Sequence, residues 1–104
     1  MLDFYFESKT HVRQLRHGPL AEHLDGLAAE FQRDAFASVT ARRILSVVGQ
    51  FNRFAAIVGA AAEDVDEALV GRFLAAELVD DGLFQSGPSA LRHMLGYLRR
   101  HGII

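Results

Sequence analysis

Apolar residues recur three and four positions apart along almost the whole chain, and no segment alternates apolar with polar residues as a half-buried strand does. This period constrains the fold more than any other feature, because it predicts helices that each bury one stripe of side chains. A chain of 104 residues accommodates a single small domain with one core. The sequence therefore predicts a compact all-α bundle.

The first two main helices are predicted between residues 20 and 59. One spans residues 20–34 and follows Pro19, which is suited to a first-turn position. The next has Ser38 as its N-cap and ends near Gly59. The residues predicted to face the core from these helices are Leu20, Leu24, Leu27, Phe31, Ile44, Val47, Val48, Phe51, Ala55 and Val58.

Two further helices complete the predicted bundle. The third begins around "EDVDE", where Asp64 and Glu67 have the spacing of a capping box. Its helical pattern ends at "DDG". The fourth starts at Ser86 or Ser89 and stops at Gly102. Their predicted core residues are Leu69, Val70, Phe73, Leu74, Leu91, Met94, Leu95 and Leu98. A short helical turn is also predicted over residues 10–17.

Several classes of site find no support in the sequence. Without cysteine there is no disulfide framework or thiolate metal site, which fits a reducing cytoplasm. The five histidines lack the i, i+4 pairing of a helical metal site, and no glycine-rich phosphate loop or nucleophile elbow is present. We therefore expect no metal, no cofactor, no small-molecule substrate and no catalytic residue. We also expect no export signal and no membrane span.

Charge is distributed very unevenly over the predicted helices. Residues 36–62 and 82–104 each hold three basic residues and no acid, whereas residues 63–81 hold seven acids and one arginine. The net charge of -2 therefore conceals a chain with two basic helices and one acidic helix.

The second and fourth predicted helices place their basic residues on one side. An α-helix turns by about 100° per residue, and this projection gives each of the two helices a line of residues opposite its apolar stripe. Along each line, small residues separate long basic ones. In the second helix this line is Arg42, Ser46, Gly49 and Arg53, flanked by Arg43 and Gln50. In the fourth helix it is Ser89, His93, Gly96 and Arg100, flanked by Arg92 and Arg99. A glycine inside a helix lowers helix stability by about 1 kcal/mol relative to alanine. The presence of Gly49 and Gly96 therefore suggests that another group comes close to the backbone of each helix.

A helix side with arginine, glutamine and serine around bare backbone suits entry into a DNA major groove. Arginine binds phosphate or a guanine edge, and glutamine reads adenine. The alternative is that each arginine is simply a solvated surface charge, as most are.

Four segments resemble, in order, the helices of the core-binding domain at the amino end of tyrosine recombinases, the phage-integrase family. "HGPLAEHLDGLAAEF" is similar to the first helix, and "FASVTARRILSVVGQFNRFAAIVG" to the second, with an opening Ser and Thr and a closing F-x-x-F. "EDVDEALVGRFLAAEL" is similar to the third helix, and "SALRHMLGYLRRHGII" to the fourth with its final Arg-x-x-Gly. The resemblance covers residues 18–104.

The resemblance implies a SAM-like, orthogonal four-helix domain that forms half of a clamp around recombination-site duplex DNA. Its second and fourth helices would lie against the major groove, in a prokaryotic, nucleoid-associated protein. Thr40 and Arg43 become candidates for phosphate contact. The candidates for contact with phosphate or base are Arg42, Ser46, Gln50, Arg53, Arg92, His93, Arg99 and Arg100.

The family's catalytic residues have no counterpart in this sequence. The chain stops where a linker would lead into the catalytic domain, so we expect that domain and other recombinase protomers as partners. Arg92 resembles the arginine of a catalytic H-x-x-R box, but Ser89 stands in place of the histidine. Tyr97 is predicted to pack rather than to act as a nucleophile. We therefore expect no enzyme activity from this chain.

Two alternatives stay open. The second interpretation of the chain is a helical protein-interaction module, in which a basic side meets the acidic third helix of another copy or of a partner. Residues 1–17 form either an arm over DNA or a plug on the bundle through Phe4 and Phe6, and we favour the plug. The basic residues of the arm would be Lys9, Arg13 and Arg16.

Overall fold

The computed structural model describes residues 2–77 and 81–104, and all regular structure in these residues is helical. A short 3-10 turn at Ala62–Asp64 precedes the fifth helix. The helices are α1 (Leu2–Tyr5), α2 (Lys9–Leu15), α3 (Ala21–Arg33), α4 (Ser38–Ile57), α5 (Glu67–Glu77) and α6 (Asp81–Arg100). The all-α class predicted from the sequence is confirmed, with α3 to α6 as the four main helices.

Helices α3 and α4 lie close to their predicted bounds. Helix α4 ends two residues before Gly59, as expected. Its N-cap is Ala37 and not the predicted Ser38, which is already the first helical residue. The hydroxyl of Ser38 therefore does not cap the helix, and no side chain of the described residues is seen to cap its first turn.

Helix α5 starts later than predicted, because a different aspartate caps it. The carboxylate of Asp66 accepts a hydrogen bond from the backbone N–H of Leu69 at 2.8 Å, which fixes the first turn at Glu67. Asp64 instead accepts from the backbone N–H of Ala61 at 2.9 Å, within the 3-10 turn. The predicted Asp64–Glu67 capping box is therefore wrong. Its predicted end at "DDG" falls partly on residue 80, outside the described residues.

Helix α6 is longer than predicted. It begins at Asp81 rather than at Ser86 or Ser89, and Pro88 lies inside it. Proline removes one i to i−4 hydrogen bond, but the backbone on either side continues as helix. The predicted end of this helix at Gly102 is confirmed, because α6 ends at Arg100 and Gly102 lies in the turn that follows.

The core is almost the predicted one. All the expected stripe residues of α3, α4 and α6 are buried except Val58, and Leu74 of α5 is half-buried. Val58 is 39% exposed because it follows the last turn of α4, where the chain leaves the bundle. Helices α4 and α6 make the most extensive contact between any two helices of the described residues.

The amino-terminal residues form the plug, and of the two predicted side chains Phe6 packs against the core whereas Phe4 does not. Leu2 and Tyr5 of α1 are buried, Phe6 is half-buried, and Phe4 is 59% exposed. A four-residue helix repeats at about 3.6 residues, so positions 2 and 5 share the inner side and position 4 does not. Helix α2 continues the plug by packing Val12 and Leu15 into the core.

Asp25 of α3 fastens both amino-terminal helices. Its carboxylate accepts hydrogen bonds from the Arg16 guanidinium at 2.8 and 3.0 Å and from the backbone N–H of Leu2 at 3.1 Å. Burial raises the pKa of Asp25, but these hydrogen bonds favour the charged form more strongly and hold the pKa at about 2. Arg16 is therefore engaged within the fold.

Asn52 is a fully buried polar residue in the middle of α4. Its amide oxygen accepts from the backbone N–H of Leu20 at 2.8 Å, and its amide nitrogen donates to the carbonyl of Leu15 at 2.9 Å. One side chain thus provides a hydrogen-bond partner for a backbone carbonyl at the end of α2 and for a backbone N–H at the start of α3. Gly18, between them, has φ of 149°, and a Cβ there would overlap the Asn52 carbonyl and amide oxygens.

We predict that Asn52→Ala lowers the free energy of unfolding by about 2–4 kcal/mol. Two buried backbone groups lose their partner, and each unsatisfied group costs about 1–3 kcal/mol, with partial relief from entering water. Urea denaturation followed by circular dichroism measures the change. Gln50→Ala is the matched control because Gln50 is an exposed amide on the same helix. Equal midpoints for the two variants would contradict the role assigned to Asn52.

We also predict that Asp25→Asn costs about 1–2 kcal/mol near neutral pH, since the ion pair is only partly buried. The folded pKa lies below the ordinary value of 3.8, so this stability is present above about pH 4 and is lost as pH falls towards 2. Thermal melts of both proteins between pH 6 and 2 should converge at the acidic end. Asp34→Asn, at an exposed pair with Arg33, is the control and should show no such convergence.

Candidate nucleic-acid interface

The exposed side of α4 forms a continuous stripe without any carboxylate. It runs from Val39 to Ile57, over about 27 Å at 1.5 Å per residue. We call it the α4 stripe, and its residues are Val39, Arg43, Ser46, Gln50, Arg53 and Ile57, with Arg42 at its margin. Ser46 is half-buried and the others are exposed. All the α4 residues predicted to contact DNA except Thr40 therefore lie on or beside one surface.

Gly49 is not part of this exposed surface. It is buried, and a Cβ at this position would overlap the Leu15 side chain of α2. The close approach that the sequence attributed to DNA is therefore made by a helix of the same chain. The interpretation of Gly49 as an exposed glycine is wrong, because the amphipathic period of α4 alone does not show that a second helix packs there.

The first turn of α4 projects into solvent. Ser38, Thr40, Arg42 and Arg43 are all exposed. Thr40 is exposed because Ala41 takes the buried position of that turn. An uncapped helix start has free N–H groups and a partial positive charge, both of which favour an anion.

The basic residues of α6 are used differently from those of α4. Arg99 pairs with Glu67 at 3.2 Å, and Arg100 pairs with Glu30 at 2.6 Å. His101 also contacts Glu30 at 2.7 Å, and these hydrogen bonds outweigh burial and lower the pKa of Glu30. Two of the α6 residues predicted to bind DNA are thus held by carboxylates of α5 and α3.

The remaining α6 candidates are exposed. Arg92 has no carboxylate partner within the described residues. The ring of His93 stands edge-on to Phe31 and Phe36, with ring centroids 5.9 and 5.7 Å apart. Gly96 is half-buried, and a Cβ there would come within 3.3 Å of the Arg100 guanidinium. The ring contacts place His93 beside α3, whereas the α4 stripe borders α2.

Helix α2 adds a basic margin to the α4 stripe. Arg13, Gln14 and His17 line a surface pocket of about 360 Å³ together with Arg53. Arg13 is predicted from the sequence only as a residue of a possible arm, and Gln14 and His17 are not predicted. The signal is the i, i+1 and i+4 spacing of Arg13, Gln14 and His17, but no pattern in the sequence places α2 beside α4.

A second depression follows the carboxyl half of the α4 stripe. It has a volume of about 420 Å³ and lies between α2, α4 and Phe73 of α5. The residues that line it are His11, Gln14, Leu15, Ser46, Gly49, Gln50, Arg53, Phe54, Ile57 and Phe73. We call it the α2–α4 cleft. None of these lining residues is acidic, and Arg53 is shared with the basic margin.

Tyr97 is a packing residue, as predicted. Its side chain is buried, its ring centroid lies 4.2 Å from that of His101, and burial raises the pKa of its hydroxyl. Among the residues of 2–77 and 81–104, no cluster of three potential metal ligands occurs. No helix within those ranges is long and apolar enough to cross a bilayer.

Comparison with protein-family models, curated proteins and solved structures yields no match to this chain. The function is therefore inferred from the geometry and charge of the surfaces described above.

We predict opposite effects for two glycine-to-alanine changes in helices. Gly49→Ala should destabilise the fold by about 1–2 kcal/mol, since overpacking against Leu15 costs about 1–3 kcal/mol and outweighs the helical gain. Gly71→Ala should stabilise it by up to about 1 kcal/mol, because a Cβ on that exposed glycine of α5 meets nothing within 4 Å. Thermal denaturation measures both. Stabilisation by Gly49→Ala would mean that α2 does not pack closely on α4.

Proposed function

We propose that this chain is a duplex-DNA-binding domain of the tyrosine recombinase type, with the SAM-like orthogonal arrangement of α3 to α6. The observation that carries the proposal is the α4 stripe, on which Arg43 and Arg53, with Arg42 beside them, have no carboxylate partner among the described residues. By contrast, Arg16, Arg99 and Arg100 are paired within the fold.

Such a surface fits the negative charge of a DNA backbone. A length of about 27 Å covers most of one turn of B-form duplex, which is about 34 Å. Arg42 and Arg43 lie at the uncapped start of α4, where phosphate oxygens also find free N–H groups. Gln50 and Arg53 lie two to three turns further along and are suited to a base edge or a second phosphate.

In this proposal α4 is the main contact and α6 is secondary. Arg99 and Arg100 must leave Glu67 and Glu30 before they bind phosphate, so each gains less than an unpaired arginine. Arg92 is free of this cost. The domain would act in DNA integration or recombination with a catalytic domain and other protomers, in a prokaryotic cytoplasm.

We predict that the triple change of Arg42, Arg43 and Arg53 to Ala weakens duplex binding and its dependence on salt. Each phosphate contact that is lost should reduce the slope of log K against log salt by about 0.9. Fluorescence anisotropy with a labelled duplex at 50 and 200 mM salt measures both quantities.

The matched control is Arg72→Ala, which removes an exposed arginine from the acidic helix α5. Its binding should equal that of the unchanged protein. If the triple variant and the control bind equally well, or if the unchanged protein does not bind at 50 mM salt, the DNA proposal is wrong.

A protein-interaction module is the second candidate, and the ends of the α4 stripe favour it. Ile57 is 77% exposed and Val39 is 59% exposed, so apolar side chains flank the arginines. The turn before α5 presents exposed Glu63, Asp64 and Asp66, whose charge complements the stripe in a second copy. Sedimentation equilibrium distinguishes the candidates, because self-association that the triple variant abolishes supports this one.

A further inference from the structure

We propose that the α2–α4 cleft binds a small amphipathic anion, namely an aromatic apolar body carrying one carboxylate. This inference does not depend on DNA binding. It starts from the shape of the surface: a volume of about 420 Å³ lies within the range of small-ligand pockets, about 300–1,000 Å³.

The cleft exists because of the way α2 crosses α4. Leu15 closes onto Gly49, so the two backbones come close at one point. Away from that point the side chains of α2 and α4 separate, and Phe73 of α5 closes the far side. The walls therefore belong to three elements of the core, which are held by the buried Asn52 and by the Asp25–Arg16 pair.

One wall of the cleft is aromatic and apolar. Phe54 and Phe73 have ring centroids 5.4 Å apart, and Phe51 lies behind them at 5.5 Å from Phe73. Phe54 is only partly buried and Ile57 is 77% exposed, so apolar area remains in contact with water. Phe51 and Phe73 are themselves buried, so a ring or short hydrocarbon segment placed here contacts the exposed parts of Phe54 and Ile57 and removes them from water.

The polar groups of the cleft select an anion. Arg53 is exposed and has no carboxylate partner among the described residues, and the neighbouring amides of Gln14 and Gln50 supply further N–H donors. A guanidinium binds a carboxylate through two parallel hydrogen bonds. Since none of the described residues that line the cleft is acidic, a cationic ligand finds no carboxylate partner among them.

Titration of the ¹⁵N-labelled chain with 4-phenylbutyrate, followed by two-dimensional NMR, tests the proposal without DNA. The expected result is saturable shifts of the amide signals of Gly49, Gln50, Arg53 and Phe73. 4-Phenylbutan-1-ol should bind at least about fivefold more weakly, because it lacks the charge-assisted hydrogen bonds. 4-Phenylbutylamine and acetate should cause no saturable shifts, since one lacks the anion and the other lacks the apolar body.

Two exposed positions give variants that keep the fold. Arg53→Ala should weaken 4-phenylbutyrate binding about tenfold, through loss of the charge-assisted pair. Ile57→Ser should weaken it about threefold, through loss of apolar contact. Arg43→Ala is the matched control, because Arg43 lies on the same stripe about 15 Å along the helix and does not line the cleft.

Three results would overturn the inference: no saturable shifts, equal affinity for acetate or the amine, or equal weakening by Arg43→Ala and Arg53→Ala. The last would mean that diffuse positive charge attracts the anion. Failure of DNA binding in the anisotropy measurement leaves this test unchanged, so the two proposals fail separately.

Discussion

The amide of Asn52 holds the connection between α2 and α3 against the middle of α4, and the exposed surface of α4 depends on this contact. It accepts from Leu20 and donates to Leu15, so neither helix end is left with an unsatisfied buried group. The chain can pass so close only because Gly18 has no side chain. This arrangement fixes the direction of α2, and α2 in turn decides which part of α4 faces solvent.

The position of α2 determines which residues of α4 form the exposed basic surface. Taken alone, the helix shows arginines around Gly49, which suggests a bare backbone open to DNA. In the folded chain the Leu15 side chain packs against Gly49. The solvent-facing side of α4 is therefore the one that carries Arg43, Gln50 and Arg53. Small residues within a helix indicate close approach equally well whether the neighbour is a nucleic acid or another helix of the same protein.

The sequence predicted the features that depend on local period and missed those that depend on packing between helices. The stripes of α3, α4 and α6 followed from apolar spacing, and all of their positions except Val58 are buried. Asn52 was not predicted to be buried, because only apolar residues were assigned to the core stripe. Its spacing nevertheless matches that stripe, since it lies four residues after Val48 and three before Ala55. The pairing of Arg99 and Arg100 with Glu67 and Glu30 was equally hidden, since the partners are 32 and 70 residues apart.

Arg53 belongs to two surfaces at once, the α4 stripe and the α2–α4 cleft. A phosphate of DNA and a carboxylate in the cleft would share the five N–H donors of this guanidinium, so the two proposed ligands would compete for it. Arg42 and Arg43 do not line the cleft, so their proposed contacts with DNA would not depend on whether it is filled. The proposed coupling between the two ligands would therefore be limited to what Arg53 and Gln50 contribute to DNA binding.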